Sequence, residues 1–167
     1  MLKVDQRCTI PGNVVATNMS STIAKAVKAS FEEETAFLST LVKTKSSNPH
    51  TPQDSPLHES VEGEVPTLIY EKLKSIGLSP KYVGASKERP NVVCEWGEKR
   101  GRMGLMLNGH MDTIPPEGRD LIAPFSGAVR NGRVYGLGVL DMKASLAAYI
   151  FAVKALMTAG IKLKGKL

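Results

Sequence analysis

The sequence has few cysteines and no long apolar run, and each shortage excludes a class of protein. Its two cysteines, Cys8 in a polar segment and Cys94 in an apolar one, do not make a disulfide framework. No stretch approaches the ~18 consecutive apolar residues of a membrane span, and the first residues lack the apolar core of a signal peptide. These features predict a protein of a reducing, cytoplasmic compartment with no membrane partner.

Aromatic residues are also scarce, at 5% of the chain, although the net charge is +6. A positive net charge raises nucleic acid as a partner. The lysines, however, are scattered along predicted helices, and no aromatic side chains interleave with them as they do in proteins that bind single strands. We therefore predict no nucleic-acid partner, and a basic nucleic-acid-binding protein is kept as an alternative.

Length and composition fit a single globular domain of the α/β class. The apolar share of 42% and the charged share of 23% are ordinary for such a domain. Residues 1–20 show no sustained period and are predicted to be a tail or an irregular segment. From residue 21 to residue 167, helix-like and strand-like segments alternate, and this alternation favours a folded α/β domain.

Hydrophobic periodicity predicts three helices. The first begins at Ser21, ends before residues 46–49 and has one apolar stripe. The second covers residues 65–76 and is followed by Gly77 in the position of a helix-terminating glycine. The third follows Asp141 and ends near Ala159. The stripe of the first helix consists of Ile23, Val27, Phe31, Leu38, Leu41 and Val42.

Strands are predicted in the segments between these helices. Residues 81–83, 91–96 and 105–107 are strand candidates, and the last of these is apolar enough for a buried strand. Asn131-Gly132, between two short apolar runs, is a strong signal for a β-hairpin.

The most informative stretch runs from residue 105 to residue 143. His110 and Asp112 follow the apolar run 105–107, and Asp141 follows a glycine-rich turn. Residues two apart in extended backbone point to the same side, and ligand sites in open α/β sheets lie outside the carboxyl ends of the strands. An imidazole and two carboxylates on separate loops are ligands that suit a metal such as zinc.

These three side chains have a metal-binding interpretation and a structural one. In the first, neutral His110 binds a metal ion through one ring nitrogen, Asp112 fixes the imidazole through the other, and Asp141 bridges two ions. In the second, His110 and Asp112 form a capped turn or a surface hydrogen bond, and Asp141 is the N-cap of the following helix, a role that is compatible with metal binding. A nucleotide site at Gly136–Asp141 is excluded, because a carboxylate in the last position of the glycine motif would repel pyrophosphate.

Taken together, the motifs resemble one known family. They are Asn-Gly-His110-Met-Asp112-Thr-Ile-Pro, Asn-Gly132-Arg-Val-Tyr-Gly136 and Gly138-Val-Leu-Asp141-Met-Lys143. This set is similar to the zinc-dependent amidohydrolases and peptidases of the acetylornithine deacetylase, succinyl-diaminopimelate desuccinylase, aminoacylase and glutamate carboxypeptidase group. The resemblance covers roughly residues 21–167. It implies a three-layer α/β sandwich whose mixed, largely parallel sheet is flanked by helices.

The resemblance also implies roles for the three side chains. His110 would be a metal ligand, Asp141 would bridge two zinc (or cobalt) ions, and Asp112 would be the aspartate counted as catalytic. The Asp141–Met142 peptide bond would be cis. The implied reaction is hydrolysis of an amide bond in a small N-acylated amino acid or peptide. Leu137 stands where the family usually has a basic residue, which affects the expected substrate preference.

The resemblance places further parts of such an enzyme beyond Leu167. These are a Glu-Glu pair with the general base, additional metal ligands and a lid domain. We therefore expect the 167 residues to form an N-terminal fragment that is inactive alone, with an unpaired sheet edge that favours dimerisation or aggregation. The alternative is a non-catalytic interaction module that retains the half-fold.

Overall fold

A computed structural model describes residues 14–48, 64–85, 87, 89–98, 104–116 and 123–167 of this chain. Within these ranges lie three helices and four short strands. In chain order they are α1 (Val14–Lys43), α2 (Glu64–Ser75), β1 (Lys81–Val83), β2 (Asn91–Val93), β3 (Ala128–Arg130), β4 (Arg133–Tyr135) and α3 (Ala144–Thr158). No helix among the described residues is long and apolar enough to cross a membrane. Cys8 and residues 1–13 of the predicted tail lie outside the described residues.

The three predicted helices are confirmed, although the first one starts earlier than expected. α1 begins at Val14, so residues 14–20 are helical and not irregular. The sequence reason is that the helix breakers Pro11 and Gly12 precede Val14, and neither residue type recurs before Pro49. α2 ends at Ser75, and Gly77, the predicted helix-terminating glycine, has a φ of 90°. There the Leu78 amide donates to the Leu73 carbonyl at 3.1 Å, a typical glycine-terminated helix end.

The buried side chains among those described for α1 all lie in its C-terminal half, because the helix packed against it is shorter. α1 has 30 residues and α3 has 15, which correspond to lengths of about 45 Å and 22 Å. Phe31 in the predicted stripe is therefore 64% exposed, whereas Leu41 is fully buried. Phe37, which the predicted stripe omits, is buried against Phe151 with a ring-centroid distance of 6.1 Å. The core cluster consists of Phe37, Leu41, Val65, Ile69, Leu146, Ala147, Ile150 and Phe151.

The strands of the described residues form two antiparallel pairs instead of the expected largely parallel sheet. β1 pairs with β2 in the register Tyr82↔Val92. β3 and β4 form the predicted hairpin, with Asn131 and Gly132 both at positive φ in its turn. Among the residues that the structure describes, one parallel contact occurs, an isolated bridge between Ser47 and Thr113. The mixture of helices and strands is therefore as predicted, but the described strands are short and pair only with strands nearby in sequence.

The prediction of a buried strand at residues 105–107 is wrong. These residues belong to no strand, and Leu105 and Met106 are 57% and 69% exposed. The physical reason is a lack of partners among the described residues. The amides of Gly104 and Leu105 donate to the Lys166 carbonyl, whereas no described strand lies beside Met106 and Leu107 to cover them.

Candidate metal centre

His110 lies between two carboxylates, one at each ring nitrogen. Its Nδ1 is 3.0 Å from Asp112 Oδ1 and also 3.0 Å from the Asp112 carbonyl oxygen. Its Nε2 is 2.8 Å from Asp141 Oδ1. The structure thus brings together all three side chains that the sequence selected, and it places His110 and Asp112 on the same side of the chain as their spacing predicted.

Asp141 reaches His110 from an irregular turn, Val139–Lys143, that leads into α3. Asp141 and Met142 have non-helical backbone angles within this turn, and the peptide bond between them is cis, as the resemblance implied. No side chain caps the start of α3, whose N-cap is Lys143. The interpretation of Asp141 as a helix N-cap is therefore wrong, because its carboxylate points to His110.

Lys143 fixes the other end of this turn to α1. Its side chain is fully buried, and its ammonium group donates to the carbonyl oxygens of Leu41 at 2.7 Å and Thr44 at 2.8 Å. Both acceptors are carbonyls at the C-terminal end of α1, where a positive charge is favourable. Burial lowers the pKa of Lys143 to about 8. The turn that holds Asp141 is thereby attached to the end of α1.

The hydrogen bond between Asn48 and Asp112 was not predicted from the sequence. The side-chain amide of Asn48 donates to Asp112 Oδ2 at 2.6 Å. The two residues are 64 positions apart, and no local pattern connects them. A second missed contact is made by the His110 amide, which donates to the Met142 sulfur at 3.4 Å.

The three side chains line an open cavity of about 360 Å³. Its remaining lining is largely apolar and includes Leu137, the residue that departs from the family pattern. Within the lining, the described titratable groups are His110, Asp112 and Asp141. Their exposures differ, because the side chain of Asp112 is 24% exposed and that of Asp141 is 85% exposed.

The carboxylates change the protonation of His110. The Asp141 carboxylate, which accepts a hydrogen bond from Nε2, raises the pKa of His110 above its ordinary value of 6.5. Asp112 adds to this increase, while partial burial acts in the opposite direction. A positive imidazolium between two negative carboxylates explains the direction. A metal ion that binds Nε2 would have to displace this proton.

The geometry fits part of a zinc site. Two tetrahedral zinc ligands at 2.0–2.1 Å lie about 3.3 Å apart, so a small movement of the exposed Asp141 carboxylate away from Nε2 would make room for an ion. These two groups are fewer than the usual three or four protein ligands. Within the described part of the chain, no group of three or more His, Cys, Asp or Glu side chains is arranged to hold a metal ion.

Comparison with known proteins shows a similarity to one family over the segment that carries these side chains. Residues 106–167 match Peptidase family M20/M25/M40. This segment contains His110, Asp112, Asp141 and the turn between Val139 and Lys143. The chain is thus related to this peptidase family, and the resemblance stated from the motifs is confirmed.

The relatives that match this chain include bacterial proteins named succinyl-diaminopimelate desuccinylase and acetylornithine deacetylase. A succinyl-diaminopimelate desuccinylase of Polynucleobacter necessarius is 34% identical over 104 residues, which are 58% of this chain and 27% of that protein. An acetylornithine deacetylase of Pasteurella multocida is 38% identical over 92 residues, covering 53% of this chain and 24% of that protein. A succinyl-diaminopimelate desuccinylase of Anaplasma marginale is 42% identical over 97 residues, covering 56% and 25%. The chain therefore spans about a quarter of the length of the curated relatives it matches.

Proposed function

We propose that this chain carries part of the metal centre of a hydrolase that cleaves amide bonds in small N-acylated amino acids or peptides. The observation that carries the proposal is the Asp112–His110–Asp141 arrangement, with carboxylates 3.0 Å and 2.8 Å from the two ring nitrogens. The arrangement lies in the segment that matches the peptidase family. The names of the relatives, a desuccinylase and a deacetylase, support the substrate class.

In this proposal each of the three residues has a separate task. His110 would hold a metal ion through Nε2, Asp141 would be the ligand shared with a second ion, and Asp112 would keep the imidazole oriented through Nδ1. Zinc is the proposed metal, with cobalt as a substitute. When bound, it would polarise the amide carbonyl and make a nucleophile available from water at neutral pH. Leu137 in the cavity lining would favour an apolar group on that side of the substrate.

The proposal also covers the fold of the complete domain, a three-layer α/β sandwich, and a cytoplasmic location. The parallel bridge Ser47↔Thr113 and the antiparallel bridge Gly97↔Lys166 support the proposal of a three-layer α/β sandwich, because each starts a pairing between segments distant in sequence. The cytoplasmic location predicted from the sequence is retained as part of the proposal.

We further propose that the 167-residue chain alone does not turn over substrate. Among the described residues that line the cavity there is no glutamate to act as a general base, and positioned proton transfer contributes roughly 10²–10⁴-fold to such reactions. Binding is therefore a more informative measurement than turnover.

The test is substrate binding by ligand-observed NMR with and without Zn²⁺. N-acetylornithine and N-succinyl-diaminopimelate are the probes, and unacylated ornithine is the matched control. We expect the acylated probes to bind only with zinc, and not to bind the His110→Ala variant. Binding that is equal with and without zinc, or unchanged in His110→Ala, would contradict the proposal.

One observation favours the interaction module as a second candidate. A largely apolar cavity of about 490 Å³ is lined by residues such as Val92, Leu105, Met106 and Leu167, and its lining includes none of His110, Asp112 and Asp141. Leu105 and Met106 are exposed, as in a surface that binds another protein. Sedimentation of the zinc-free chain discriminates the candidates, because the module should be monodisperse and should bind its partner without metal.

A further inference from the structure

The two carboxylate oxygens of Asp112 have different partners. Oδ1 is 3.0 Å from His110 Nδ1, and Oδ2 accepts a hydrogen bond from the Asn48 amide at 2.6 Å. An ionised carboxylate only accepts hydrogen bonds, and the amide nitrogen of asparagine only donates. With Oδ2 held by Asn48, rotation of the carboxylate is restricted and Oδ1 stays directed at the imidazole.

The backbone holds Asn48 in place independently of this side-chain contact. The Asn48 amide N–H donates to the Thr113 carbonyl at 2.8 Å, and the Thr113 N–H donates to the Ser46 carbonyl at 2.8 Å. Ser46, Ser47 and Thr113 are all buried. The residue next to Asp112 is therefore bonded on both sides to the segment that follows α1, and this pairing sets the distance between Asn48 and Asp112.

We propose that Asn48 is a positioning residue that acts through Asp112 on His110. It keeps Oδ1 of Asp112 as an acceptor for Nδ1–H beside the Asp112 carbonyl oxygen, which is also 3.0 Å from Nδ1, so that Nε2 is the nitrogen that faces Asp141. The consequence for metal binding rests on the proposed function, whereas the hydrogen-bond chain Asn48–Asp112–His110 rests on the geometry alone. Loss of an outer partner of a metal-binding histidine typically weakens affinity about 10–100-fold. Because Asn48 is one hydrogen bond further from the metal, we expect about a tenfold effect.

The first test needs no metal. The full chain is labelled with ¹⁵N-histidine, and the His110 signals are assigned among the three histidines with His110→Gln. We expect the wild-type Nδ1–H proton to be protected from exchange with water, and to lose this protection in Asn48→Ala and in Asn48→Leu. The leucine variant is uncharged and close to asparagine in shape but has no donor, which separates the hydrogen bond from a packing effect. Asn18→Ala, an exposed change on α1, is the matched control.

The outcomes separate the two proposals. An Nδ1–H signal that keeps its protection in both Asn48 variants overturns the positioning role, even if His110 binds zinc normally. If the signal loses protection in these variants but the wild-type chain binds no zinc, the positioning role of Asn48 stands and the proposed function fails. Where wild type does bind zinc, titration calorimetry should show about tenfold weaker affinity in both Asn48 variants, and an unchanged affinity would contradict the inferred effect on the metal.

Discussion

Side chains from three separate segments form the hydrogen-bond chain that contains His110. The chain that follows α1 supplies Asn48, its own loop supplies Asp112, and the turn before α3 supplies Asp141. Of the two carboxylates, the less exposed Asp112 is the one with a further hydrogen-bond partner. This difference suits a fixed orienting group on one nitrogen and a more adjustable metal ligand near the other.

At the residue scale, Gly138 is the position where a single methyl group should displace the turn that carries Asp141. Its φ is 76°, and a Cβ at this position would overlap the Cγ2 atom of the buried Thr113. We expect Gly138→Ala to lower the free energy of unfolding by about 3 kcal/mol, from the left-handed backbone and the overlap together. Urea denaturation measures the change.

Gly160→Ala is the matched control for this prediction. Gly160 has a φ of 70°, and a Cβ there would meet no atom within 4 Å. Its substitution should therefore cost only the left-handed penalty of about 1–2 kcal/mol. Equal losses of stability in the two variants would show that the contact with Thr113 does not constrain the turn.

At the scale of the elements, a single carboxylate joins the three helices. Glu33 on α1 pairs with Lys72 on α2 at 3.3 Å and with Lys154 on α3. The ammonium group of Lys72 also lies 5.1 Å from the centroid of the Phe37 ring, and that of Lys154 lies 5.3 Å from the centroid of the Phe151 ring. The ion pairs thus border the aromatic part of the core.

This arrangement predicts a pH dependence of stability. The hydrogen bond from Lys154, and then that from Lys72, lower the pKa of Glu33 below 4.5, while burial opposes them. The folded state favours the ionised carboxylate, so the contribution is present above pH 4.5 and is lost as the pH falls through the lowered pKa. Because Glu33 is 44% exposed, we expect Glu33→Gln to be less stable than wild type by no more than about 1 kcal/mol at pH 7.

Urea denaturation at pH 7 and at pH 3 tests this contribution. The difference between wild type and Glu33→Gln should shrink toward zero at the lower pH. Glu32→Gln, an exposed change at the adjacent position of α1, is the control and should follow wild type at both values. A difference for Glu33→Gln that is as large at pH 3 as at pH 7 would contradict the role of the ion pairs.

At the scale of the whole molecule, the sequence predicted features that depend on neighbouring residues better than features that depend on contacts between distant segments. The role of Gly77 in terminating α2 and the hairpin at Asn131-Gly132 depend on residues close in sequence, and both are confirmed. The exposure of Phe31 depends on how far α3 extends along α1, and the exposure of Met106 depends on which strands lie beside it. Periodicity within one segment contains neither kind of information.

The candidate site shows the same division. The spacing of His110 and Asp112 predicted their common side, and the glycine-rich turn drew attention to Asp141. The contact of Asn48 with Asp112 could not be predicted, because it depends on the bridge between Ser47 and Thr113. The anchoring of Lys143 to the carbonyls of Leu41 and Thr44 likewise becomes visible only when α1 and the turn are seen together.

The most direct test of the proposed metal centre is a calorimetric Zn²⁺ titration of the full chain and three variants. His110→Ala removes one proposed ligand, Asp141→Asn weakens the other, and the His50→Ala/His58→Ala double variant removes the remaining histidines. We expect wild type and the double variant to bind zinc alike, Asp141→Asn to bind more weakly and His110→Ala to lose binding. Unchanged binding by His110→Ala, or loss of binding in the double variant alone, would contradict the assignment of His110 and Asp141 as the metal ligands.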